Sequence, residues 1–215
     1  MNKTFTCNKL AATAVFASVL LLGLIETHAQ EDWHRKGMWE IYGTGQYLFG
    51  DQVDYSKFGL RIDIQDTVLV GFGGAYHFND HLDLTLELGL GLTDFNSSGA
   101  DYLLNQDTLI ISGNLNVEYN IFKTRFTPLV RAGIGFYNFS DDAPASGSEP
   151  CGFFDCPSNT YDETDLSWNV GAGVRWNVTD HFVLKLVGGI SWTELKDSDD
   201  LTRLGFVALS IGGSF

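Results

Sequence analysis

The chain has 215 residues and a formal net charge of −14, so nucleic acid, whose phosphates it would repel, is excluded as a natural partner. Glycine is abundant, proline scarce, and aromatic residues make up 13% of the chain. Beyond the N-terminus no apolar run approaches the ~20 residues of a membrane helix, and the composition points to a single, nearly all-β domain.

Residues 1–29 read as a secretory signal peptide. Lys3 and Lys9 form a positive start, residues 10–25 are apolar, and Thr27-His28-Ala29 is a small-residue cleavage site. The apolar stretch falls short of the ~20 residues that an uncleaved anchor needs. Gln30 is the expected mature N-terminus, residues 30–215 are the expected barrel domain, and Cys7 leaves with the leader.

Eight strands follow. In residues 39–49 (WEIYGTGQYLF), Trp39, Ile41, Tyr47 and Phe49 share one face, and Glu40, Tyr42, Thr44 and Gln46 the other. Residues 51–66 are expected to be a long polar loop, and residues 67–78 the second strand. Asn79-Asp80 turns into the third, HLDLTLELGLGL at residues 81–92. Every even position there is leucine, from Leu82 to Leu92, against Asp83, Thr85, Glu87, Gly89 and Gly91. A loop over residues 96–107 leads to the fourth strand, residues 108–121, with Leu109, Ile111, Leu115, Val117, Tyr119 and Ile121 opposite Ser112, Asn114, Asn116, Glu118 and Asn120.

The fifth strand, residues 127–137, sets Val130, Ala132, Ile134 and Phe136 against Arg131, and the longest loop follows at residues 138–163. The sixth, residues 165–177, sets Trp168, Val170, Ala172, Val174 and Trp176 against Asn169, Gly171, Gly173 and Arg175. The seventh, residues 181–193, sets Phe182, Leu184, Leu186, Ile190 and Trp192 against Lys185 and Ser191. An acidic loop at residues 194–201 precedes the eighth, residues 202–215. Connections alternate long and short, as in an up-and-down sheet with its tight turns at one end. The segment from Val70 (VGFGGAYHFNDHLDLTLELG) repeats from Val170 (VGAGVRWNVTDHFVLKLVGG), and pairs His81 with His181. Both histidines open a strand just after a turn, and their recurrence reads as turn stabilisation, not as a metal site.

A soluble barrel has an apolar inside and a polar outside; a membrane barrel inverts this. Here the apolar faces of the first seven strands are nearly free of charge, and large aromatics mark the strand ends. Trp168 and Trp176 share a face; at ~3.3 Å per residue and ~40° tilt they stand about 20 Å apart along the axis, close to the ~25 Å apolar band between aromatic girdles. The polar faces carry acids on one half of the barrel (Glu40, Asp83, Glu87, Glu118) and bases on the other (Arg131, Arg175, Lys185). The expectation is an all-β, eight-stranded, antiparallel up-and-down transmembrane barrel whose lumen is filled by these paired charges. Gly89, Gly91, Gly133 and Gly135 leave open the alternative of space for water or a small ligand.

The Gly-rich strands with aromatic ends (VGFGGAYHF, TPLVRAGIGFY, VGAGVRW), the Asn/Asp turns into Leu-rich strands and the terminal FVALSIGGSF resemble the small outer-membrane β-barrel family that includes the OmpA transmembrane domain, OmpX and OmpW. The resemblance covers essentially the whole mature chain. It implies a multi-pass protein of a Gram-negative outer membrane, with long loops outside and termini in the periplasm. It implies lipid and lipopolysaccharide as surroundings and a monomeric state. It also implies an assembly signal at Phe215, with Ile211 and Leu209 on the same face, read by the barrel-assembly machinery. Gly213 departs from the usual bulky residue in that signal. A structural or surface-interaction role is expected, with a small-solute channel of the OmpW type as the alternative and a lipid-modifying enzyme third.

Cys151 and Cys156, close together in the longest loop of a secreted chain, read as a disulfide ring; a metal site would want further Cys or His nearby. No enzyme activity, cofactor or metal is expected. None of His34, His77, His81 or His181 has a serine two residues on, the pattern of the lipid A deacylases, and residues 30–37 are too short for the amphipathic helix of the outer-membrane acyltransferases. The third loop is acidic, with Asp141, Asp142, Glu149, Asp155, Asp162 and Glu163 and no Lys or Arg. It reads as a solvated surface, or more sharply as a divalent-cation bridge to lipopolysaccharide phosphates.

Overall fold

In a computed structural model, residues 34–55, 60–98, 105–140, 162–193 and 201–215 are described. They form β1 (Trp39–Phe49), β2 (Gln52–Tyr55), β3 (Leu60–Ile64), β4 (Thr67–His77), β5 (Leu82–Ser98), β6 (Asn105–Asn120), β7 (Phe126–Ser140), β8 (Asp162–Asn177), β9 (Phe182–Thr193) and β10 (Thr202–Ser214). β1, β4, β5, β6, β7, β8, β9 and β10 pair in that circular order, every pair antiparallel, and β10 closes on β1. This is the expected eight-stranded barrel. Trp39 and Phe215 seal the seam by exchanging backbone hydrogen bonds of 2.9 Å each way.

Three loop expectations need correction. Residues 51–66 are not a plain loop: β2 and β3 pair as a hairpin, and β3 continues onto β5 through Arg61 to Ile64 opposite Ser98 to Phe95. Residues 96–107 are shortened from both sides, since β5 and β6 stay paired out to Asn96 and Asn105. The longest loop is trimmed likewise, with β7 and β8 paired out to Ser140 and Asp162. In each case backbone groups that have left the apolar band still find partners in the neighbouring strand. The signal-peptide region and the Cys151–Cys156 pair lie outside the described residues.

The face assignments follow the pleat. Leu86, Leu88, Leu90 and Leu92 are exposed on the outside of β5, while Asp83, Thr85 and Glu87 are buried inside. Trp168 and Trp176 stand outside, as do Leu209, Ile211 and Phe215. Aromatics gather at the short-turn end, where Trp39 meets Tyr76 at 4.8 Å and Tyr76 meets Phe78 edge-on at 5.1 Å. The two halves of the internal repeat use one turn device. His81 Nδ1 bonds the Asn120 carbonyl (2.8 Å) and His181 Nδ1 the Ser214 carbonyl (3.1 Å), so each histidine ties its turn to the end of the next strand.

Candidate functional site

The inward side chains stack in layers along the barrel axis. Nearest the short-turn end, Glu40 (β1), His77 (β4), Asp83 (β5) and Arg175 (β8) converge, none more than 1% exposed. Arg175 reaches across the lumen. Its Nη1 donates to Asp83 Oδ2 at 3.0 Å and its Nη2 pairs with Glu40. His77 bridges the same carboxylates, with Nδ1 on Asp83 and Nε2 3.2 Å from Glu40 Oε1. Asn120 Nδ2 adds a bond of 2.6 Å to Asp83 Oδ2.

One layer further in, Arg131 Nη1 (β7) donates to Glu87 Oε2 (β5) at 3.0 Å and lies 4.0 Å from Glu118 Oε1 (β6). Lys185 Nζ (β9) lies 3.5 Å from Glu118 Oε2 and 3.9 Å from the centre of the Tyr42 ring. The Tyr42 hydroxyl donates to Glu87 Oε1 at 3.2 Å. All seven charged residues singled out in the sequence therefore face the lumen, and acids from β1, β5 and β6 meet bases from β7, β8 and β9. Ion pairs this dry are held by geometry: each charge has an opposite charge in reach, and several carry additional hydrogen bonds.

Above the charges lies a layer that the sequence reasoning missed. Leu48, Leu69, Ile110, Tyr137, Phe139, Leu204 and Phe206 are buried together toward the long-loop end. Phe206 also lies under the Arg131 guanidinium, 4.9 Å from ring centre to Cζ. The signal was present: Leu204 and Phe206 fall on the face of the last strand opposite Val207, Leu209 and Ile211. His77 was missed as well, although it is in phase with the inward side of its strand.

The inward glycines are hemmed in by their neighbours. A Cβ at Gly133 would run into Asn116, one at Gly135 into Asn114 and one at Gly91 into Leu69; one at Gly89 would come within 2.8 Å of Ser112 Oγ. The space beside each glycine is already taken by a side chain of a neighbouring strand. A small cleft with room for about one water molecule is lined by Gln46, Leu69, Glu87, Ser112 and Asn114 among others. Among the described residues no group of three metal-ligating side chains is arranged to hold an ion.

The architecture is similar to several solved structures, all at identities that speak to fold alone. OprG from Pseudomonas aeruginosa matches with a TM-score of 0.60 and 15% identity over 86% of this chain and 98% of that one. Ail from Yersinia pestis, solved with the heparin analogue sucrose octasulfate, matches with a TM-score of 0.51 and 16% identity over 84% and 99%. AlkL, solved in DMPC bilayers, matches with a TM-score of 0.50 and 16% identity over 87% and 93%. No curated protein matches the sequence at a significant level. The family described as outer membrane protein beta-barrel domain matches residues 17–215, nearly the whole chain. The chain belongs to that family, whose place is the outer membrane of a Gram-negative bacterium.

Proposed function

We propose that this protein is a closed structural barrel that holds its long loops at the cell surface, with short turns and termini in the periplasm, and passes no solute. The observation that carries this reading is the lumen, filled by a cross-linked charge layer and an apolar layer one above the other. An eight-stranded interior is only just wide enough for side chains to fill, and the bulky side chains of Leu48, Leu69, Ile110, Phe139, Leu204 and Phe206 crowd the constriction. The surface presented is acidic. The third loop has no Lys or Arg, so a polyanion of the kind bound to Ail would be repelled, and lipopolysaccharide phosphates would be met through divalent cations. No catalytic role is assigned to the buried His77–Asp83 pair, because the groups facing it are Glu40 and Arg175, neither a hydroxyl nor a thiol nucleophile. The test is planar-bilayer recording of the refolded, unmodified protein. Little or no steady conductance is expected; large, regular openings would overturn the reading and promote the small-solute channel.

A further inference from the structure

The short-turn mouth of the barrel is crossed by a stretch that the charge network does not explain. Arg35 precedes the first strand, yet it is 1% exposed. Its Nε and Nη2 donate to the Asp80 carbonyl at 3.1 and 2.8 Å, and Nη2 also donates to the Phe122 carbonyl at 2.8 Å. One side chain thus ties the N-terminal segment to the β4–β5 turn and the β6–β7 turn at once. Asp80 returns the grip. Its carboxylate accepts from the Arg35 and Lys36 backbone N–H groups (2.9 and 3.4 Å) and lies 3.2 Å from His34 Nδ1 and 3.3 Å from Lys123 Nζ. Gly37 makes the bend into β1 possible: its φ of +82° is a conformation that a side chain would strain. Its N–H bonds the His77 carbonyl, placing the bend directly beside the charge layer.

The remaining guanidinium nitrogen, Arg35 Nη1, is buried without a hydrogen-bond partner. Behind it lie further buried polar atoms in the same state, Thr85 Oγ1, both side-chain atoms of Asn116, Asn120 Oδ1 and Asn177 Nδ2. Polar atoms buried this way bond to water wherever water is admitted. We infer that residues 34–37 are a latch over the short-turn mouth, with Arg35 as the bolt and Asp80 as its keeper, and that releasing it admits water and small solutes to the polar half of the lumen. That this half is a dead end rests on the closed-lumen reading above.

The test uses the full mature protein refolded in phospholipid vesicles, with Cys151 and Cys156 changed to serine and a single reporter cysteine, Thr85→Cys, in the polar half. A small, water-soluble methanethiosulfonate is the probe. With the latch intact the reporter should be nearly inert. Arg35→Ala and, separately, Asp80→Ala should each raise its labelling rate at least tenfold. Ser191→Cys, buried near the apolar layer, should stay inert in the same variants. If both latch variants keep the heat-modifiable mobility of a folded barrel and neither speeds labelling of the Thr85 reporter, the latch is wrong. It is equally wrong if both reporters speed up together, since that is general loosening. Faster labelling without conductance supports latch and dead end together. Faster labelling with conductance supports the latch and overturns the closed-lumen reading. Should Arg35→Ala not fold, Asp80→Ala decides alone.

Discussion

Arg175 is where the lumen network is most exposed to a single change. Arg175→Met removes the cation shared by Glu40 and Asp83, both fully buried, and leaves them His77 and, near Asp83, the charge of Arg35. Removing one partner of a buried ion pair costs about 3–5 kcal/mol, because the other charge stays behind in a poorly solvating interior. Two carboxylates are stranded here, so the upper end, about 4–5 kcal/mol, is expected. That is roughly three orders of magnitude in the folding constant. Adding Glu40→Gln removes one stranded charge, while Asp83 keeps Asn120 and His77. The double variant should then regain about 2 kcal/mol relative to the sum of the single losses. The assay is urea unfolding in phospholipid vesicles, followed by tryptophan fluorescence. A loss below about 1 kcal/mol for Arg175→Met, or strict additivity in the double variant, would refute the view that these charges brace the barrel from within.

Other outcomes are open to measurement. Leu86, exposed on the outer face of β5, should tolerate no charge, and Leu86→Arg should destabilise the barrel by roughly 2–4 kcal/mol; a spin label there that reports water in place of hydrocarbon would refute the assignment of faces. Mass spectrometry of protein taken from the outer membrane should find Cys151 joined to Cys156, and external protease on intact cells should cut their loop; two free thiols would reject the bridge. Burial alone would raise the Asp80 carboxyl, but the hydrogen bonds from Arg35, His34, Lys123 and Lys36 outweigh it and hold the group well below the usual carboxylate range. A carboxylate depressed on folding adds stability that is complete above its unfolded value of ~3.9 and drains away as pH falls toward the folded value. Acid unfolding should therefore show a shallower slope below about pH 4 in Asp80→Asn than in the parent, and identical slopes would argue against those bonds.

The barrel was legible because a period of two survives any detail of packing. Leu82 to Leu92 alternate with Asp83 and Glu87, and nothing but a two-faced strand fits that order. The opposed charges were legible for the same reason, since Arg131 and Lys185 each stand out on an otherwise neutral face, and Arg175 stands ten residues from Asp165 on its own face. The apolar layer was hidden by the inversion itself. Once the outside is known to be greasy, an inward Phe206 or Leu204 looks like noise, and only the pairing of strands shows Leu48, Ile110 and Phe139 gathered with them. The β2–β3 hairpin was hidden by its charges: DQVDY and LRIDIQD read as loop, yet β3 pairs onto the extension of β5. Arg35 had no signal at all in the sequence, because its place depends on carbonyls of two turns distant along the chain.

The seam between β1 and β10 has a consequence for how the molecule comes into being. Every other joint in the wall links strands that follow one another closely, but this one binds Trp39 to Phe215, from the first strand of the barrel to the end of the last. Contacts that close so large a loop form late. Until β10 pairs with β1, the sheet has two raw edges, each a row of unpaired amides and carbonyls that invites a foreign strand. The unclosed sheet is thus at its most adhesive just before β10 docks on β1.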